Sequence, residues 1–385
     1  MKVFRLIYKN AFRHKLRTFL TVLGLALAVM AFGLIRTFIT AWYSGAEAAA
    51  PDRLVTRNAV SIIFTLPISY KEQILKIDGV KDVTYAAWFG GIYVDPKNFF
   101  PQYAVDQSNF FTLFPEFIVP PEQFEEFKEQ RKAVIVGRRL ADRFGWKIGD
   151  PITLIGTIYP GDWDFVIRGV YTGRDVNTDE TAFIMRFDYL DEVMRRDSPG
   201  RAGQIGWYAL KIDDPNRSAE IAKQVDARFK NSLAETMTET EKEFQLSFIQ
   251  MSSAIILGLR IVSFLIIGVI LLVLANTMAM TARERISEHA FMRTLGFRGY
   301  HLVGLILGES FFMAILGGLI GTALLAVVGN LVGIALSQFF PGFAPDTVAY
   351  LLCIGTALLV GLGASIFPIQ RALRIKIVDG LRVVD

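Results

Sequence analysis

Four long apolar stretches, and the distances between them, constrain this chain more than any other feature. They lie at about Thr18–Trp42, Ile261–Met280, His301–Phe340 and Thr347–Pro368. Crossing the hydrocarbon core of a bilayer takes about 20 apolar residues, and each stretch reaches that length. A long polar block, Tyr43–Gln250, separates the first stretch from the second. The spacing predicts one helix, a large external domain, then three helices. The aqueous part hangs from two of them.

The chain is 52% hydrophobic, with a mean hydropathy of +0.38. That is high for a soluble globule, although Tyr43–Gln250 alone reads as ordinary soluble protein. A pI near 9.0 invites a nucleic-acid partner, but the placement of the charge excludes one. Met1–Arg17 carries six basic residues (Lys2, Arg5, Lys9, Arg13, Lys15, Arg17) and no acid. Thr281–Tyr300 carries four basic residues against two acidic, as does Arg371–Asp385. The block Ala41–Gln250 carries 31 acidic against 25 basic. Basic flanks mark the cytoplasmic side, so both termini and the Thr281–Tyr300 loop are expected inside and the large domain outside the cell's inner membrane.

The segments expected are therefore a basic N-terminal segment, Met1–Arg17; a first helix, Thr18–Trp42; and the external domain, Tyr43–Gln250. A second helix follows over Met251–Met280, a cytoplasmic loop over Thr281–Tyr300, and a third helix with an outer extension over His301–Phe340. Thr347–Pro368 forms the fourth helix and Ile369–Asp385 the tail. The first span has the basic start of a secretory signal, and Ala46–Ala50 resembles a cleavage site. Its apolar run is longer than the 7–15 residues usual for such a signal, so an uncleaved helix is expected. The single cysteine, Cys353, lies in the last stretch as a small packing residue. The external domain has none and must be held by its own core.

That domain reads as mixed α/β. Strand character appears at Arg53–Leu66, Val80–Val94, Gln102–Asp106, Ala133–Val136 and Tyr208–Ile212, with a hairpin over Ile152–Ile158 and Asp164–Val170. Helices are expected over Pro120–Arg131, with its proline start and acidic first turn, and over Arg138–Phe144. Ser69–Glu72 has capping-box spacing before a helix through Ile77, ended by Gly79. Ser218–Met251, highly charged and free of Pro and Gly, predicts one long stalk helix running into the second span.

Catalytic signatures are missing. The three histidines, His14, His289 and His301, flank membrane segments, and no HExxH, paired cysteines, GxSxG or GxxxxGK[ST] loop occurs. Asp162 and Asp164 beside Trp163, and the loop carboxylates Asp175, Asp179 and Glu180, suit solvated turns better than a metal or acid–base site. The aromatic pairs Trp88-Phe89, Phe99-Phe100 and Phe110-Phe111 suit a core. No cofactor is expected in this chain, and any ATP with its magnesium must be held by another polypeptide.

The sharpest motif is Asn276–Phe297, NTMAMTARERISEHAFMRTLGF. Here the second span leaves the bilayer as a charged amphipathic helix. Arg283, Glu284, Arg285, Glu288 and Arg293 recur on neighbouring turns, Phe291, Met292 and Leu295 offer an apolar face, and Gly296 stops it. Arginines meeting anionic membrane lipids would explain it; so would docking on a cytoplasmic protein, which the mixture of acids and bases favours. The segment resembles FtsX-like ABC permeases of the MacB type, whose pattern is roughly N-x-M-x-x-x-x-x-E-R-x-x-E-I-G-x-x-R-A-x-G. Asn276, Met278, Glu284, Arg285, Glu288, Arg293 and Gly296 match; His289, Ala290 and Thr294 depart. Asn10–Leu25, Ile68–Val83, Ala133–Asp150 and the closing Pro368–Leu381 resemble the same family, so the likeness covers nearly the whole chain.

The resemblance implies a non-catalytic permease that pairs with a second copy or a paralogue and engages separate cytoplasmic ABC ATPases through the coupling helix. It implies a MacB periplasmic-core-like domain between helices 1 and 2, and export through a periplasmic adaptor and outer-membrane duct. Relatives instead release lipoproteins or switch cell-wall hydrolases; the size of the external domain sides with the MacB and lipoprotein types. Within the membrane, Glu309 should face a helix, partner or water rather than lipid, where a helix–helix hydrogen bond or a proton relay would use it. Asn276 is a second intramembrane polar residue. Gly304 with Gly308, and Gly317 with Gly321, are small pairs suited to dimer packing. Arg36 and Arg260 should snorkel at the outer ends of the first two spans.

Overall fold

The computed structural model describes residues 8–10, 12–175, 178–336, 340 and 343–374. The basic residues Lys2 and Arg5, and the closing motif beyond Arg374, lie outside the described residues. Two units emerge, Tyr43–Met251 and Met1–Trp42 with Ser252–Asp385. The first helix, α1 (Lys15–Ala48), carries no charge between Arg17 and Arg36, so nothing interrupts its apolar run.

The α/β unit contains strands β1 (Arg53–Asn58), β2 (Leu66–Pro67), β3 (Val80–Trp88), β4 (Gly91–Ile92), β5 (Gln102–Val105), β6 (Phe117–Ile118), β7 (Ala133–Gly137), β8 (Pro151–Gly156), β9 (Gly161–Gly173), β10 (Phe183–Arg186), β11 (Gln204–Ile205), β12 (Trp207–Ile212) and β13 (Thr236–Thr240). Its helices are α2 (Tyr70–Ile74), α3 (Phe110–Leu113), α4 (Pro121–Glu129), α5 (Arg138–Phe144), α6 (Phe187–Asp197), α7 (Ser218–Arg228) and α8 (Glu241–Met251). The main sheet runs β13-β1-β12-β3-β5-β10-β7-β9-β8-β4. It is mixed: β5–β10 and β7–β9 pair in parallel, and the other pairs along it are antiparallel.

Alternation along the central strands explains why both faces are covered. On β7, Val134 and Val136 join one apolar cluster, with Phe89, Phe100, Phe165 and Phe183. Ala133 and Ile135 join the other, with Phe110, Phe111, Phe127 and Tyr171. The aromatic pairs are largely core, although Phe99 is exposed. The expected hairpin is β8–β9, in which Trp163 is buried while Asp162 and Asp164 stay outside. Asp175 and Asp179 accept hydrogen bonds from Thr178 and Thr181, and Glu180 from the Gly173 amide. Among the described residues no cluster could hold a metal ion.

The strands expected over Arg53–Leu66 and Val80–Val94 are shorter, ending at Asn58 and Trp88, and two helix expectations fail. Ser69 has helical backbone angles and makes no capping bond, so the helix expected there covers only Tyr70–Ile74. The single stalk helix over Ser218–Met251 is instead α7, a turn with Asn231 at a left-handed φ of 61°, strand β13 and then α8. Thr236, Thr238 and Thr240 are β-branched at alternate positions, a strand signal that outweighs the absence of Pro and Gly. Asp226 on α7 accepts from Thr236 Oγ1, Thr238 Oγ1 and the Thr238 amide, and β13 pairs with β1 in register.

The other unit contains α1 together with α9 (Ser253–Glu284), α10 (Ile286–Thr294), α11 (Gly299–Leu336) and α12 (Thr347–Arg374). The four long helices are each long and apolar enough to cross a membrane. Close approach is set by glycine. A Cβ on Gly317 would lie 2.6 Å from Leu25, and one on Gly321 2.6 Å from the Ala26 carbonyl. This pair packs α11 against α1 of the same chain. Cys353 is buried on α12, its thiol donating to the Val29 carbonyl at 3.6 Å.

Candidate functional site

The charged motif divides at one residue. Helix α9 ends at Glu284 and α10 starts at Ile286, with Arg285 between them at φ −110°, ψ 17°. Gly296, at φ +90°, lets the chain turn out of α10, as only a residue without a Cβ does at low cost. The expected helix is thus present, as a separate nine-residue piece.

Its charges turn toward their own chain. Arg17 makes a two-pronged contact with Glu284, Nη2 to Oε1 at 2.8 Å and Nη1 to Oε2 at 2.9 Å, and His14 lies 3.4 Å from the same carboxylate. Arg13 pairs with Glu288. Arg285 Nη1 donates to Glu309 Oε2 at 3.1 Å, and its Nη2 to the Asn10 carbonyl at 3.2 Å. Arg293 Nη2 donates to the Leu373 carbonyl near the end of α12 at 3.1 Å. The segment is thereby tied to α1, α11 and α12 by different side chains.

Burial sorts these ties. The Arg285 and Glu309 side chains are 7% and 8% exposed, so a charge that would be costly in lipid is matched by a partner. Arg13 and Glu288 are half-exposed, and such a pair contributes little. His289 is buried, and its Nδ1 has no hydrogen-bond partner among the described residues. Burial, and then the nearby Arg285 charge, push its pKa below the usual imidazole value. Two cavities flank the Arg285–Glu309 pair. One, of about 250 Å³, is lined by His289, Met278 and Ile306 among others. The second, of about 200 Å³, is lined by Asn10, Arg17, Thr281 and Glu284.

Phe291 and Leu295, four residues apart, are 58% and 63% exposed, and Phe297 and Arg283 are also exposed. Met292 is half-buried. Asn276 lies on the exposed side of α9, while its neighbour Thr277 meets Thr21 of α1, hydroxyl to hydroxyl at 3.3 Å. Gly304 has open space around it and Gly308 is half-buried. Sequence reasoning missed the ties to α1, although a signal existed. Arg13 and Arg17 are one helical turn apart, as are Glu284 and Glu288, and the pairs run in opposite order, as antiparallel helices require.

This layout defines an ABC transporter permease, a class that works with a cytoplasmic ATPase. Residues 18–228 match the MacB-like periplasmic core domain and residues 260–377 the FtsX-like permease C-terminal domain. The chain belongs to this FtsX/MacB-type permease family. An uncharacterized ABC transporter permease of Methanocaldococcus jannaschii is 20% identical over 97% of this chain and 96% of its own length. Among solved structures, the periplasmic region of MacB from Actinobacillus actinomycetemcomitans is 14% identical, with a TM-score of 0.39, over 53% of this chain and 95% of that one. The extracellular domain of the noncanonic ABC-type transporter YknZ from Gram-positive bacteria is 11% identical, with a TM-score of 0.37, over 49% of this chain and all of that one.

Proposed function

We propose that this chain is the membrane subunit of a MacB-type export machine, in which a separate ATPase docks on α10 and its closure is passed through the helices to the α/β domain. The observation that carries the reading is the exposure pattern of α10. Its charges are engaged within the chain, while Phe291 and Leu295 stay uncovered one turn apart. Apolar and aromatic anchors supply most of the affinity at protein interfaces, and charges at the rim mainly set orientation. Arg283 is then the rim charge, and Arg285 belongs to the permease's own frame.

In this reading the chain lies in the plasma membrane with α10 and both termini in the cytoplasm, as the basic flanks favour. ATP and magnesium sit in the ATPase, and two permease copies or paralogues act together. An adaptor and duct beyond the membrane complete the path for the exported substrate. Replacing both Phe291 and Leu295 by Asp is expected to release the ATPase from the purified complex while the permease stays inserted and its α/β domain folded. ATPase retained at wild-type level by that variant would overturn the docking assignment. A reporter fused after Asp385 is expected to be active only in the cytoplasm; activity only outside would overturn the orientation.

A further inference from the structure

The coupling segment meets α11 through one buried contact whose geometry differs from the other ties. Arg285 stands at the break between α9 and α10, where the backbone makes no continuous helix that could carry force from one to the other. Its guanidinium reaches Glu309, ten residues into α11, which at 1.5 Å per residue is about 15 Å from the start of that helix. The second guanidinium arm holds the Asn10 carbonyl. Two cavities border the pair. The chain also joins α10 to α11 through Leu295–Arg298, but that short turn pivots at Gly296, at φ +90°, whereas a charge-assisted hydrogen bond is stiff and directional.

From this we infer that Arg285 and Glu309 are positioning residues that make α11 follow the coupling helix, so that the pair transmits ATPase movement without taking part in ATPase docking. The inference rests on the coupling reading above. Phe291 and Leu295 hold the ATPase; Arg285 and Glu309 pass on what it does. Because the two roles fall on different residues, they separate experimentally.

The test uses the full chain purified with its co-purifying ATPase, carrying Gly304→Cys as a thiol reporter on α11 and Cys353→Ala to remove the native thiol. Gly304 has open space around it, so the new side chain is accommodated. Labelling rates at position 304 are measured with and without ATP and magnesium. With Arg285 and Glu309 intact, nucleotide is expected to change the rate. Glu309→Ala, and the double variant Arg285→Met with Glu309→Met, are expected to shrink that change about fivefold or more, with ATPase retention unaltered. The double variant guards against misfolding, because replacing a buried ion pair by apolar side chains of similar volume is usually tolerated. A pair that merely stabilises the bundle would leave the double variant responding as before, which would overturn the inference and leave the docking assignment standing. No nucleotide response in the intact pair would also overturn the inference, while docking is judged separately by ATPase retention in the Phe291 and Leu295 variant.

Discussion

Both units bury arginine against carboxylates, and two of these arginines, Arg53 and Arg285, are held in opposite ways. Arg53, at the start of β1, donates from Nε to Glu241 at 2.8 Å, from Nη2 to Glu116 at 2.7 Å and from Nη1 to the Leu113 carbonyl at 2.7 Å, with the Phe114 ring 4.0 Å from its centre. Glu241 also accepts from the Ala50 amide. Burial opposes the Arg53 charge, but Glu241 and Glu116 outweigh it and raise its pKa. Arg285 has Glu309 at 3.1 Å, Glu288 farther off at 3.9 Å and one carbonyl, with two cavities bordering the pair and, nearby, the His289 Nδ1 that has no partner among the described residues. A saturated cluster fixes one geometry. A sparsely supported pair leaves room for a second one.

The largest effect is expected at the saturated cluster. Arg53→Ala leaves the buried Glu241 and the partly exposed Glu116 without their cation and should destabilise the α/β unit by about 3–5 kcal/mol, read as a lowered unfolding transition of the purified chain. Arg53→Lys should recover only part of this, since an ammonium cannot reproduce the fork. Glu309→Ala should cost less, about 1–3 kcal/mol in the membrane unit, because the adjoining cavities let water reach the orphaned Arg285. Equal losses at the two sites would break the contrast.

Smaller still is the exposed Arg13–Glu288 tie: Arg13→Ala should lower the unfolding transition only slightly, and high salt should remove even that difference. The smallest expected effect is a pH slope from His289, which faces Arg285, Glu288 and Arg293. Its folded pKa lies below the ordinary value, so the neutral ring favours folding. Stability of the membrane unit should hold above pH 6.5, fall as pH drops below it while the unfolded chain takes up the proton, and level off once the folded ring protonates too. His289→Phe should flatten that slope in thermal unfolding scans; a rise in stability on acidification would reverse the sign and refute it.

Much of this was legible beforehand because it depends on local pattern. Span lengths, the β8–β9 hairpin and the α5 helix over Arg138–Phe144 follow from apolar runs and turn residues within a few positions. The α7–β13–α8 break was missed although Thr236, Thr238 and Thr240 alternate as a strand does, because the run is short and the contacts that fix it, to Asp226 and to β1, are tertiary. The charged motif was found, but the destination of its charges was not. A sequence shows that Glu284 and Glu288 exist; only the antiparallel approach of α1 shows that Arg17 and Arg13 claim them. The same holds for Gly317 and Gly321, whose spacing permits close approach without saying to which helix.

That glycine contact also sets a timetable. Gly317 packs on Leu25, so the two surfaces are separated by about 290 residues of chain, which at about 5–20 residues per second take on the order of 15–60 s to synthesise. During that interval the newborn α1 has emerged and the whole α/β domain must be made before its matching surface exists. Ala26 and Val29 therefore wait beside lipid or an insertion factor. A substitution that makes this face stickier would do its damage in that interval, by capturing the wrong neighbour, before the finished bundle could be tested at all.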